Sequence, residues 1–378
     1  MRLVVNAPIN KVSFGNVSYN ILKELYKRKE EVEVIFVPLG QIDMSSFDTV
    51  DKGFIDWLND CAKDNFSRIR KDDVALKLWH INGSESLCCR KQVLYSFYEL
   101  DSPTKLEKSI IEYQDATIFS CSHSADQFSE SSNVFSAGLG FDNDFKFLDK
   151  KYFDDESVHF TLMGKAEKRK NTSAIIKAWL AEFGNDTRYR LTCLITNPHL
   201  NQEWHKEFIL DALGGKSYNN IAFNSWVEGN SQMNDILCSS DVDLTALSGA
   251  EGWNLPAFNA ACLGAHIVGN DFTSHKDWVG NIQKGRFHQV EESAFEKVDS
   301  EDGVFFINGS NTNQGNINAL VDLPAASKKM REASEAVLKE KASDHEYNYI
   351  KKRAGLKLQL NHAYEHTVDR ILEVVKEL

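Results

Sequence analysis

The residues best suited to chemistry lie in one stretch, Ser248-Gly249-Ala250-Glu251-Gly252-Trp253-Asn254-Leu255-Pro256-Ala257-Phe258-Asn259-Ala260-Ala261-Cys262-Leu263-Gly264, followed by the apolar run His266-Ile267-Val268. Pro256 suits the first turn of a helix, where its missing N–H costs nothing. Asn254 suits the cap before it and Gly264 its end. Glu251, Gly252, Trp253, Asn254 and Leu255 therefore read as the loop entering a helix. In a parallel α/β sheet such a strand-to-helix loop lies at the ligand-binding edge. Backbone N–H groups at the helix start can bind phosphate oxygens, and the Glu251 carboxylate can accept hydrogen bonds from sugar hydroxyls. The alternative is a glutamate that only caps a neighbouring loop.

The elements that must position this loop alternate along the chain. Leu3-Val4-Val5 precedes Val17, Ile21, Leu22, Leu25 and Tyr26 on one helical face, and further strands are predicted at 32–37, 74–79, 93–97, 116–120 and 134–135. A polar run at 149–156 reads as a linker. Beyond it the alternation resumes: strand 159–163, helix 172–183, strand 190–195, helix 202–213, strand 221–223, helix 232–239 and an apolar strand at 244–246. Such alternation predicts doubly wound parallel sheets. The final segment, 347–378, is helical by pattern, with Leu356, Leu360, Ala363, Val368, Ile371 and Val375 as buried positions.

Bulk properties narrow the classes. At 378 residues the chain is long enough for two domains of similar size. A net charge of -12 repels polyanions at long range and gives no general attraction to anionic lipid. The apolar run at the start is too short for a signal peptide and no stretch approaches a membrane span, so a cytoplasmic location is expected. Seven cysteines without a Cys-x-x-Cys pair read as buried free thiols. The sequons at Asn16, Asn65, Asn82, Asn171 and Asn308 then stay unused.

The stretch beginning at Glu251 resembles the Glu-Gly-Phe-Gly-Leu-Pro signature of the large retaining glycosyltransferase family typified by bacterial mannosyltransferases and sucrose synthases, in which two glutamates are separated by seven residues. Glu251 matches the first glutamate. Asn259 stands at the second, which in the family holds the ribose of the nucleotide; asparagine hydrogen-bonds a diol uncharged and more weakly. Phe160-Thr161-Leu162-Met163-Gly164-Lys165-Ala166-Glu167-Lys168-Arg169-Lys170-Asn171 is similar to the family's strand, Gly-Arg loop and Arg-Lys-Asn helix opening, with Lys165 where arginine is usual. Lys165 and Lys170 would neutralise the diphosphate leaving group as charge builds on it; a solvated basic turn is the alternative.

In the first half, Phe14-Gly15-Asn16-Val17-Ser18 resembles the family's glycine-rich loop between strand and helix, where Gly15 and Asn16 would let donor phosphate and acceptor come close. Phe97-Tyr98-Glu99-Leu100-Asp101, the run to Ser122-His123, and Gly140-Phe141-Asp142 resemble further family elements. They leave His80, Glu99 and Ser122 as acceptor-side candidates, with a structural role open for His80 and Glu99.

The resemblance implies the GT-B architecture: two Rossmann-like βαβ domains facing across a cleft that closes over the donor. Residues 1–150 form the acceptor-side domain, 155–355 the donor domain, and a helix at about 360–378 crosses back to the first. It also implies metal-independent, retaining transfer of a hexosyl or pentosyl group from a nucleoside-diphosphate sugar to a hydroxyl, with no cofactor beyond the co-substrate. The acceptor stays open. A small molecule or soluble glycan fits the acidic charge, a lipid-linked acceptor would prefer a basic amphipathic face, and a modified nucleic-acid base would need a basic groove.

Three rival readings exist. Gly138-Leu139-Gly140-Phe141-Asp142-Asn143 fails the dinucleotide fingerprint at its last position. Asp142-Asn143-Asp144 and Asp241-Val242-Asp243 are formal matches to the Asp-x-Asp metal site of a single-domain glycosyltransferase. A catalytically silent GT-B protein that binds a sugar nucleotide or a partner would explain Asn259 and Lys165 as signs of decay.

Overall fold

The computed structural model describes residues 1–48, 50–154, 156–197, 201–224, 227–291, 294–298, 315–343 and 345–378. The sequon at Asn308 lies outside them, as does one residue of the 149–156 run. Contacts divide the chain into two compact units, Met1–Phe145 with Gly229–Ser231 and His362–Leu378, and Lys146–Glu228 with Gln232–Asn361.

The first unit is built on six parallel strands: β1 Arg2–Ala7, β2 Glu33–Pro38, β3 Val74–Leu78, β4 Lys91–Ser96, β5 Ala116–Phe119 and β6 Val134–Ser136, in the order β2-β1-β3-β4-β5-β6. The last five residues of β1 are all buried, because helices cover both faces of a parallel sheet and alternation gives way to a continuous apolar run. The helix Tyr364–Glu377 buries Val368, Ile371, Leu372 and Val375 and packs on the helix Ser13–Lys27 of the same unit. Gly140 permits that passage, since a Cβ there would lie 2.1 Å from the Tyr364 nitrogen.

The second unit repeats the plan with β7 Val158–Lys165, β8 Tyr189–Thr196, β9 Ile221–Phe223, β10 Val242–Asp243, β11 His266–Gly269 and β12 Phe287–Gln289, all parallel, in the order β12-β11-β10-β7-β8-β9. An antiparallel pair, β13 Phe295–Val298 and β14 Gly315–Asn318, completes the strands among the described residues. Phe160, Trp179, Phe183 and Leu191 form its core with Met330 and Val337 of the helix Leu323–Lys341. The order places β7 beside β10, so the chain direction of winding reverses between them. That is the switch point at which an open α/β sheet leaves a crevice outside its carboxyl edge.

Four expectations need correction. Residues 14–18 lie in the first turns of the helix Ser13–Lys27 and not in the loop before it. The predicted strand at 244–246 is a 3-10 turn, Thr245–Leu247, because the buried Asp243 carboxylate accepts from the Thr245 nitrogen at 2.9 Å and its hydroxyl at 3.0 Å. This local polar bond outcompetes strand pairing. The final segment is two helices, Tyr347–Asn361 and Tyr364–Glu377, parted at His362. Leu356 and Leu360, expected inside, are 51% and 65% exposed.

Candidate functional site

Three loops of the second unit converge at the carboxyl edge of its sheet, one each after β7, β10 and β11. The β7 loop tightens into a 3-10 turn at Lys168–Lys170, and Asn171 then takes a left-handed backbone, φ 55°, before the helix Thr172–Phe183. Asparagine tolerates that region better than most residues. The turn is stitched to the β10 loop. The Gly249 nitrogen donates to the Arg169 carbonyl at 2.7 Å, and Asn171 Nδ2 donates to the Leu247 carbonyl at 2.9 Å. Gly249 must be small, since a Cβ there would lie 2.6 Å from the Asn318 carbonyl oxygen.

Glu251, 4% exposed, is the centre of this arrangement. Its Oε1 accepts from Lys170 Nζ, and its Oε2 accepts from Arg169 Nη1 at 3.2 Å. Arg169 Nη1 also donates to the Ala250 carbonyl at 2.7 Å, while its Nε lies 3.2 Å from Glu167. Burial by itself would raise the Glu251 carboxyl, but the charges of Lys170 and Arg169 outweigh it and hold the group at about 2. Burial depresses the Lys170 ammonium, reinforced by Arg169 and opposed by Glu251 and Glu167. The result is a buried carboxylate held toward its ionised form by two adjacent cations.

Sequence reasoning singled out Lys165 and Lys170 and missed Arg169. The structure brings Lys170 to Glu251, whereas Lys165 ends β7 with a side chain 46% exposed and its ammonium 3.9 Å from Glu167. Arg169 carried a sequence signal only in the Arg-Lys-Asn match. The β11 loop was also missed as a supplier. Thr273 Oγ1 accepts the Glu251 N–H at 3.0 Å, and Thr273 holds φ 52°, an unfavourable backbone for a β-branched residue. No single-sequence signal marks that strain.

The remaining donor-side candidates divide. Gly252 and Trp253 are buried, the Trp253 ring packing on Phe258 with centroids 5.4 Å apart. Asn254 occupies the cap position of the helix Leu255–Cys262 in a left-handed conformation, φ 68°, without a side-chain cap bond. Its Nδ2 instead donates to the Thr245 carbonyl at 3.1 Å and meets His275 Nε2 at 2.9 Å. Leu255 is half-buried at the first helical position. Asn259, one turn further, is buried, and its Oδ1 has no hydrogen-bond partner among the described residues. Such an orphaned acceptor costs about 1–3 kcal/mol, a penalty that a ligand hydroxyl would relieve.

His275 is fully buried, with Nδ1 toward the Asn270 carbonyl at 3.0 Å. Burial pushes it down to about 4 from the ordinary 6.5, and burial does the same to His159. Between pH 6.5 and 4 each of these two imidazoles therefore binds a proton in the unfolded chain that it excludes in the folded one. Their contribution to stability is complete above the unfolded value and is lost as pH falls through this window, by up to about 1.4 kcal/mol per pH unit for each imidazole. Buried Glu107 and Asp243, raised to about 7 and about 6, act in the opposite sense over the same window, so the check is a difference: urea midpoints of His275→Gln against pH lose its share of the slope, and a variant profile parallel to wild type overturns it.

The candidates in the first unit line the carboxyl edge of its own sheet. His80 follows β3, Glu99 follows β4 and Ser122 follows β5; His80 and Ser122 are exposed and Glu99 half-buried. Phe14 gathers the first two strand ends, its ring 4.6 Å from His80 and 4.3 Å from Phe97. Gly15 is required by close approach, a Cβ there lying 2.2 Å from Asn10 Oδ1. Asn16 bonds Asn20, its Oδ1 accepting from Nδ2 at 3.2 Å.

Both formal Asp-x-Asp matches are engaged in internal contacts. Asp142 accepts from the Asp144 nitrogen at 2.9 Å, and Asp144 pairs with Lys23 at 2.8 Å. Asp241 meets Lys341 and the Tyr347 hydroxyl, each at 2.9 Å, while Asp243 holds Thr161 and Thr245. Among the described residues no cluster of three or more His, Cys, Asp or Glu is placed to hold a metal ion.

No family model and no curated protein matches the sequence. Solved structures match along its whole length. An E. coli structure, described as trehalose-6-phosphate bound with UDP-2-fluoro glucose, has 10% identity and a TM-score of 0.62 over 100% of this chain and 99% of that one. The UDP-forming alpha,alpha-trehalose-phosphate synthase of Burkholderia vietnamiensis has 10% identity and a TM-score of 0.61 over 100% of both chains. The N-terminal domain of a Candida albicans trehalose-6-phosphate phosphatase has 8% identity and a TM-score of 0.60 over 99% and 96%. At such identities the likeness is one of fold. The chain has the α/β fold with two parallel-sheet domains found in these proteins, the GT-B class expected from the sequence.

Proposed function

We propose that the chain is a glycosyltransferase that moves a sugar from a nucleoside-diphosphate sugar to an acceptor hydroxyl, with retention and without an essential metal ion. The observation that carries this reading is the Glu251 carboxylate, ionised and buried between Lys170 and Arg169 at the switch point of the second sheet. As a sugar leaves its diphosphate, positive charge grows on the anomeric carbon and negative charge on the leaving oxygen. A fixed carboxylate on the sugar hydroxyls and a lysine on the diphosphate stabilise both charges. In this scheme Lys170 turns from Glu251 toward the phosphate, and Arg169 keeps Glu251 ionised. Asn259 Oδ1 accepts from a ribose hydroxyl. Lys165 adds a second, more solvated cation, and Gly15, Asn16, His80, Glu99 and Ser122 are the acceptor-side candidates.

One fold neighbour is described as bound with UDP-2-fluoro glucose and another by its glycosyltransfer with retention, so uridine diphosphate sugars are the first donors to test. Donor binding raises the melting temperature, and turnover releases nucleoside diphosphate. A silent sugar-nucleotide binder gives the first signal without the second, even with an acceptor panel. No shift with any nucleotide-sugar sinks both readings. Asn259→Ala weakens donor binding by about 0.5–1.5 kcal/mol, the size of one neutral hydrogen bond, and Asn259→Glu tightens it, both read by titration calorimetry. Unchanged affinity in both variants removes Asn259 from the donor site.

A further inference from the structure

The helix Tyr347–Asn361 carries the second unit's most unusual surface. Its inner face buries Lys351, Ala354, Gly355 and Leu358. Gly355 and Gly264 let it approach the end of the helix Leu255–Cys262 backbone to backbone: a Cβ on Gly355 would lie 1.8 Å from the Cys262 carbonyl oxygen. The outer face presents Tyr349, Leu356 and Leu360, 57%, 51% and 65% exposed, together with the exposed Lys352, Arg353 and Lys357. At 100° per residue these six span an arc of roughly 140°, apolar at its centre and cationic on both flanks. The helix contains no acidic residue, in a chain whose net charge is -12.

We infer that this face docks the protein on an anionic lipid surface. Leucines at the centre of the arc enter the acyl boundary, tyrosine suits the interface, and lysine and arginine stems reach outward to the headgroups. The local positive charge decides the contact, because the remaining acidic surface is screened beyond a Debye length of about 8–10 Å. No helix among the described residues is long and apolar enough to cross a membrane, so the attachment is peripheral and reversible. The face lies by the carboxyl end of the helix Leu255–Cys262, opposite the end that the Glu251 loop enters, so the inference stands apart from the donor chemistry.

The test is co-sedimentation of the full chain with vesicles of equimolar phosphatidylcholine and phosphatidylserine, and of phosphatidylcholine alone. The chain sediments with the anionic vesicles at low salt, is released at high salt, and stays in solution with the neutral ones. The triple variant Lys352→Gln, Arg353→Gln, Lys357→Gln lowers partitioning on the order of 100-fold. Leu356→Ser with Leu360→Ser lowers it by about tenfold or more. All five side chains are exposed, so both variants keep the wild-type melting temperature. Failure of the wild type to sediment overturns the inference, as does binding that both variants retain. A concentration-dependent dimer lost in the Leu356→Ser, Leu360→Ser variant, without vesicle binding, assigns the face to a second copy of the chain and overturns it equally.

Discussion

Lys170→Ala lowers turnover by about 2–4 kcal/mol of barrier, roughly 30- to 1,000-fold, the range for removing a fixed charge from a developing phosphate anion. The size follows from burial. Lys170 has a side chain only 13% exposed and bonds Glu251 directly, so water cannot replace its charge and the change falls on kcat. Lys165→Ala has a smaller effect, because a side chain 46% exposed is already screened by solvent. Glu251 keeps Arg169 in the Lys170→Ala variant, so the fold survives, as a melting curve shows. Steady-state kinetics with the donor that gives the largest thermal shift provide the measurement. Equal kcat in wild type and Lys170→Ala would show that the Lys170–Glu251 pair is structural only.

Gly264→Ala destabilises the second unit by about 2–5 kcal/mol. Two costs combine: a side chain at φ 83°, worth about 1–2 kcal/mol, and a Cβ 2.0 Å from the Lys351 carbonyl oxygen, an overpacking worth about 1–3 kcal/mol. The neighbouring atoms are backbone and cannot rotate away. The whole helix Tyr347–Asn361 must shift, and with it the buried Lys351 ammonium, which donates to the Cys238 carbonyl at 2.7 Å and the Ser240 carbonyl at 2.6 Å. Urea unfolding reads the loss as a lowered midpoint. Gly280→Ala is the control, since a Cβ there would meet nothing within 4 Å beyond its own chain neighbours, and it leaves the midpoint where it was. A Gly264→Ala midpoint equal to wild type would mean that the two helices separate at little cost.

Local sequence determined the elements and the fold class. The helix Thr172–Phe183 and the strand Ile221–Phe223 have the limits that periodicity and turn residues predict, because helical and strand patterns are written within a few residues. The alternation of the two types was enough to expect two parallel sheets. The sequence also pointed to Glu251, Lys165 and Lys170 as residues of one chemistry. Their partnership was another matter. The contact of Lys170 and Arg169 with Glu251 spans some 80 positions and exists only because the strand order sets β7 beside β10; that order minimises the free energy of the whole sheet and no short window encodes it. The strained Thr273 is likewise held by packing around it. The exposure of Leu356 and Leu360 was decided in the same way. A helical pattern reports which residues share a face, and only the tertiary structure decides whether that face meets a core or the solvent. Here the glycine contact with the Leu255–Cys262 helix turned Ala354, Gly355 and Leu358 inward and left the leucines outside.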